Sequence, residues 1–225
     1  MTHTLHRLGN YDNLNDDYVV FAMSAKGFNE EGSAGPMRKF LDIAYEYDPI
    51  NIGDMKTGNI LTATREELDE NVQDVSIVHA VYSDEKTVAA LLKRLKEEDL
   101  GISVVVSGLL DKVKDLAESS GLHQHTVNCS GGIWGKMEKL PSQEVLQLTT
   151  MCGHGMVAGN RVDYFATRIR KGRITAEEAA KELGKPCVCG VFNFKRAARL
   201  LQAIADSESE SHPVEPGQTI TDESI

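Results

Sequence analysis

Between Val75 and Cys129, apolar runs and helical stripes alternate in a fixed order, and few architectures accept that order. Val75 to Tyr82 reads as a strand from its β-branched and aromatic content. Ser83 is placed to cap a helix over 84–98, whose stripe of Val88, Leu91, Leu92 and Leu95 recurs at three- and four-residue steps. Gly101 ends that helix, and Ile102 to Val106 is an unbroken apolar run of the kind buried on both faces of a sheet. A second helix is expected over 109–119, closed by Gly121, and a further strand over His125 to Cys129.

This β-α-β-α-β rhythm predicts an α/β fold, a mostly parallel sheet flanked by helices. A ferredoxin-like α+β arrangement is the alternative, because the N-terminal half also reads as β-α-β-β-α-β. Asp17 to Ala25 supplies the first strand. Pro36 opens a helix with an apolar face of Met37, Phe40, Leu41 and Ala44, at a position where a missing N–H costs nothing. Pro49 to Leu61 is extended and turn-rich, and Thr64 with Glu67 forms a capping box at the head of a short helix.

Four segments follow from this reading. Residues 1–16 form a flexible N-terminal arm and 17–143 the α/β domain. Residues 144–206 form a helical, Cys/His-bearing C-terminal module packed on it, and 207–225 a disordered acidic tail with almost nothing to bury. Within the module a strand is expected over 144–150, delivering Cys152 at its end. Helices follow over 156–171, 176–183 (with a Thr175/Glu178 capping box) and 195–205. No internal repeat is found.

The 24 basic against 34 acidic residues give a net charge of −10, which argues against nucleic acid as a partner. No apolar run reaches the roughly 18 residues of a membrane span, and the N-terminus lacks the apolar core of a secretory signal. The expectation is therefore a cytoplasmic protein without membrane association. In a reducing compartment, clustered cysteines point to metal binding or catalysis rather than to disulfides.

Three of the four cysteines lie in glycine-flanked motifs, Met-Cys152-Gly-His154-Gly and Pro-Cys187-Val-Cys189-Gly. Cys129 lies in Asn-Cys-Ser-Gly-Gly. Thiolates suit zinc and iron–sulfur clusters, and imidazole suits zinc and iron. Cys152, Cys187 and Cys189 would hold three irons of a [4Fe–4S] cluster, with Cys129 completing it or the fourth iron left open to substrate. Cys152, His154, Cys187 and Cys189 would alternatively make a tetrahedral zinc site. A third chemistry needs no metal: Cys152 before a helix would be a nucleophile, with His154 as a candidate base. Against all three stands the plain reading of a cysteine as a small buried hydrophobe.

Other features are less specific. His123 and His125 have strand-like spacing, and His79 sits inside an apolar strand. The Gly27 to Gly35 loop and the Ser107-Gly108 step each stand between a strand and a helix, where an anion could bind. Lys136, in the loop with the single tryptophan, is a second candidate contact for an acidic substrate. Lys195, Arg196 and Arg199 cluster after Cys189, on an exposed helix face or beside an anionic centre.

The function expected is a small-molecule metalloenzyme with an iron–sulfur or other Cys-ligated centre, acting on a small anionic metabolite. If one metal position is open, Lewis-acid chemistry of the hydro-lyase kind follows, and a homo-oligomer is compatible with the chain. The alternatives are an accessory or sensing protein with a structural zinc, and a metal-free cysteine enzyme.

Overall fold

The computed structural model describes residues 4–207. Among them are strands β1 (Tyr18–Met23), β2 (Asn51–Asp54), β3 (Gly58–Asn59), β4 (Ile77–Tyr82) and β5 (Ser103–Ser107). They form one sheet in the order β3-β2-β4-β1-β5. Every neighbouring pair is antiparallel, which overturns the mostly parallel sheet.

The reason lies in how two real β-α-β units interleave. β1 and β2 both run antiparallel to β4, so they point the same way; β4 and β5 both run antiparallel to β1 and likewise share a direction. Each unit therefore returns its chain parallel, as the rhythm demands. The strand inserted between its two members comes from the other unit, so no two parallel strands touch. With β3 and the short helix α3 (Arg65–Asn71) set aside, the chain order is β1-α2-β2-β4-α4-β5, where α2 is Ala34–Tyr45 and α4 is Glu85–Glu98. Periodicity along a chain reports the element order, and strand insertion is decided by tertiary pairing.

The sheet separates two cores. Tyr18, Val20 and Ala22 of β1, with Val78, Ala80 and Tyr82 of β4, face Met37, Phe40 and Leu41 of α2 and Val88, Leu91 and Leu92 of α4. α5 (Leu110–Ser119) closes this layer through Val113 and Leu116. The alternate residues Val19, Phe21 and Val81 face the opposite way, into a second core. Its helices are α6 (Gln143–Thr149), α7 (Gly159–Arg170), α8 (Ala176–Gly184) and α9 (Phe194–Asp206). Leu148, Val162, Leu183, Phe192 and Leu201 are wholly buried there. At about 1.5–3 kcal/mol for each large apolar side chain buried, this packing is enough to seat the C-terminal helices on the sheet without covalent links.

Several local expectations are corrected. Residues 144–150 form a helix, not a strand: Ser142 caps it by accepting from Val145 N–H, and Val145, Leu146 and Leu148 are buried at helical spacing. Residues 125–129 are irregular and exposed, with none of the cross-strand partners that a strand needs. β5 is an edge strand whose residues are only half-buried, because its outer side has no neighbouring strand. Asp84 rather than Ser83 caps α4, accepting from Thr87 N–H at 2.7 Å. Both capping boxes are present, Thr64/Glu67 ahead of α3 (Arg65–Asn71) and Thr175/Glu178 ahead of α8.

The described part of the N-terminal arm carries a short helix, α1 (Tyr11–Leu14), and lies against the C-terminal module. Leu8 N–H donates to Thr150 Oγ1 at 3.0 Å, and Asn13 Nδ2 donates to Gln147 Oε1 at 3.0 Å. The expected acidic tail from 208 onward lies outside the described residues.

Candidate thiolate site

Two turns on the β1/β4 face bring three cysteines together. Cys152 leaves the end of α6 through a turn in which its own N–H donates to Thr149 O and its carbonyl accepts from Gly155 N–H. Cys187 and Cys189 follow α8, in a turn closed by Gly190 N–H donating to Cys187 O at 2.9 Å. All three are buried, with exposures of 3, 1 and 1 %. None of the four cysteines is in a disulfide. The Sγ atoms of Cys187 and Cys189 stand 3.7 Å apart, within hydrogen-bond distance for sulfur.

The sulfurs share protons unequally. The Cys187 S–H lowers the Cys152 pKa to about 5, against the opposing effect of burial; the backbone N–H groups of Met156 and His154 add to the lowering. Cys189 is lowered to about 6, first by Cys187, against burial, and then by Val191 N–H and the His154 side chain. Cys187 is the proton holder: hydrogen bonds to Cys152 and then to Cys189, with burial, push its thiol far up. One S–H cannot serve two acceptors at once, so the Cys187 proton supports either Cys152 or Cys189 at a given moment. His154 lies at the exposed edge of this group, in contact with Cys189.

A cleft of about 390 Å³ reaches this centre from solvent, with Cys152 on its wall beside Gly153, Gly155, Thr149, Thr150 and His6. From the sheet side, the Cys187–Cys189 turn rests on β3 and β4. Asn59 Nδ2 donates to Val188 O at 3.3 Å, and Gly190 lies against the His79 ring. As the side chains stand, no group of three or more His, Cys, Asp or Glu among the described residues encloses a metal-sized position.

The remaining sequence candidates lie elsewhere. Cys129 is exposed in the irregular 123–136 segment, as are His123, His125 and Lys136, whereas Cys152, Cys187 and Cys189 are buried. Lys136 does not line the cleft. Ser107 ends the edge strand β5, and Gly108 belongs to the other core: a Cβ there would stand 2.8 Å from the Tyr18 ring and 3.1 Å from Val113. Packing accounts for that glycine. Arg196, expected on an exposed face or beside an anionic centre, is wholly buried, with Nη1 donating to Asp17 Oδ2 at 2.9 Å. Arg199 pairs with Asp16 at the surface at 2.6 Å.

Sequence reasoning missed His6, Arg7, Asp17, Thr150 and Asn59 as neighbours of the cysteines. Thr150 lies two residues before Cys152 in the same turn; the other four sit in no recognisable motif and reach the site through tertiary contact. The one available signal was the charge of Arg7 and Asp17 close to an otherwise apolar strand. No described helix is long and apolar enough to cross a membrane. No protein family matches the chain, and no curated protein or solved structure is similar to it.

Proposed function

We propose that the chain is a cytoplasmic, metal-dependent enzyme acting on a small anionic metabolite, with its centre ligated by Cys152, Cys187 and Cys189. The observation that carries this reading is the convergence of three buried thiols from two separate turns at the wall of an open cleft. Sulfurs gathered in this way hold shared protons, and a thiophilic cation takes the place of such protons when it binds. Loading requires the two turns to adjust, since the sulfurs now hydrogen-bond to one another. Gly153, Gly155 and Gly190 flank the ligands and allow that adjustment.

Zinc and an iron–sulfur cluster draw on the same thiolates. The 3.7 Å separation of Cys187 and Cys189 Sγ is close to the edge of a tetrahedron built on Zn–S bonds of about 2.3 Å, whereas a four-iron cluster binds each thiolate to a different iron and spreads them. In this conformation the pair suits a single ion, with His154 or the cleft supplying the fourth position. An open fourth position supplies Lewis-acid chemistry, polarising a hydroxyl or carboxylate as in hydration and dehydration.

The test is anaerobic purification followed by metal analysis, acid-labile sulfide and the visible spectrum. About one zinc per chain, or iron with sulfide, supports the reading and names the occupant. Metal-free protein after reconstitution with both overturns it. The second reading, a metal-free enzyme with Cys152 as nucleophile, is favoured by the backbone N–H groups of His154 and Met156 at its sulfur. It predicts that Cys152→Ser abolishes activity while Cys187→Ser and Cys189→Ser only reduce it.

A further inference from the structure

The two cysteine turns come from different parts of the chain, and one side chain outside both of them joins their backbones. Arg7 Nη2 donates to the carbonyl of Met151, the residue before Cys152, at 3.4 Å. The same nitrogen donates to the carbonyl of Val191, two residues after Cys189. Its other terminal nitrogen, Nη1, is held by Asp17 Oδ1. Asp17 is itself fixed: Asn193 Nδ2 donates to Oδ1 at 3.1 Å and Arg196 Nη1 to Oδ2 at 2.9 Å. The Arg7 side chain is 6 % exposed and that of Asp17 is buried completely.

We propose that Arg7 is a positioning residue of the thiolate site, a clamp that fixes the separation of the Cys152 turn from the Cys187–Cys189 turn. A guanidinium suits this task because its fork presents two nitrogens at fixed geometry, one for the anchor and one for the two carbonyls. A lysine ammonium is one point and does not span the same three acceptors in that arrangement. Clamping the backbone on either side of the sulfurs limits how far Cys152 and Cys187 can part, and so preserves the hydrogen bond between them. The same anchoring sets the neighbouring His6 on the cleft wall, where its Nδ1 lies 3.0 Å from Ser130 Oγ. The N-terminal segment is thereby part of the site.

The inference rests on the three cysteines acting as one centre, and its test does not require a metal. Reduced, metal-stripped protein is treated with dibromobimane, which bridges two nearby thiols. Peptide mass spectrometry then gives the ratio of between-turn product (Cys152 with Cys187 or Cys189) to within-turn product (Cys187 with Cys189). Arg7→Ala and Arg7→Lys are each expected to lower that ratio several-fold while circular dichroism matches the parent chain. Arg7→Lys keeps a positive charge opposite Asp17, so it decides the matter if Arg7→Ala does not fold. Arg199→Ala is the control, because it removes a cation of α9 that is paired with Asp16 at the surface, without touching Asp17, the anchor of the N-terminal arm, or either turn, and its ratio should stay at the parent value. An unchanged ratio in folded Arg7→Lys, or an equal fall in Arg199→Ala, overturns the clamp. Metal analysis of the parent chain is read separately. Metal-free protein with the Arg7 effect intact removes the metal reading and leaves the clamp, and bound metal with no Arg7 effect does the reverse.

Discussion

Gly190 and His79 meet across the boundary between the sheet and the C-terminal helices: a Cβ on Gly190 would stand 2.8 Å from His79 Nε2 and 2.6 Å from Asn59 Cβ. The backbone there has φ +71°, in the left-handed region that a side chain disfavours. Gly190→Ala combines both penalties beside Cys189. We expect it to destabilise the fold by about 2–3 kcal/mol, from the left-handed conformation and the overpacked contact together. Urea unfolding measures the loss, and a midpoint within error of the parent would show that the turn yields freely.

Asp17 stands between two guanidiniums with no solvent around it. Asp17→Ala leaves both cations buried without their counter-ion, and breaking a buried pair from one side costs about 3–5 kcal/mol. Asp16→Ala, one residue away, removes only the Arg199 pair, whose side chains are 54 and 34 % exposed. Such a pair contributes about 0–1 kcal/mol, so Asp16→Ala should unfold near the parent midpoint. Equal effects of the two changes in chemical denaturation would contradict the buried network.

These residues also show what the sequence makes legible and what it does not. The capping boxes at Thr64 and Thr175, the stripe of α4 and the core of β1 are local patterns, and the structure has them all. The strand order is not local. Whether β4 lies beside β1 or beyond it is decided by pairing between strands far apart in the sequence. Residues 144–150 misled because Val145, Leu146 and Leu148 satisfy both an apolar strand and a buried helical turn over so short a run. Around the candidate site, the clustering of Cys152, Cys187 and Cys189 was readable from glycine-flanked motifs. Arg7 and Asn59 were not, because a hydrogen bond to a backbone carbonyl far along the chain leaves no trace in residue type.

Asn193 does two jobs in opposite directions. Its Oδ1 caps α9 by accepting from Arg196 N–H at 2.9 Å, while its Nδ2 donates to Asp17 Oδ1 and to Asp16 O. Asn193→Asp keeps the cap and turns the second contact into carboxylate against carboxylate. We expect a loss of about 2–4 kcal/mol at pH 7, the cost of a buried charge facing its like. The introduced carboxyl would have a raised folded-state pKa. The variant's stability relative to the parent is therefore fully present below the ordinary carboxyl value near 4 and is lost as pH rises through the folded-state value. Parallel urea titrations at pH 4 and pH 7 should show the gap widening at pH 7; a constant gap would contradict the contact.

Cys152 offers the most direct reading of the shared proton. Its pKa, lowered to about 5 by the Cys187 S–H and the N–H groups of Met156 and His154, makes it a thiolate throughout the neutral range in metal-free protein. A depressed acid pKa contributes stability that is present above the unfolded-state thiol value and is lost as pH falls through the folded value, here between about pH 9 and pH 5. Only the thiolate is alkylated, so iodoacetamide labelling of Cys152 should reach half its plateau near pH 5, not near an ordinary thiol value of about 8.5. Cys187→Ala removes the largest cause of the lowering and should move the midpoint upward by at least about one unit, toward the ordinary thiol range. Rates are followed on mapped peptides so that Cys152 is read separately from the other cysteines. A Cys152 profile centred on the ordinary thiol value, or one that ignores Cys187→Ala, would mean that the three sulfurs do not share a proton.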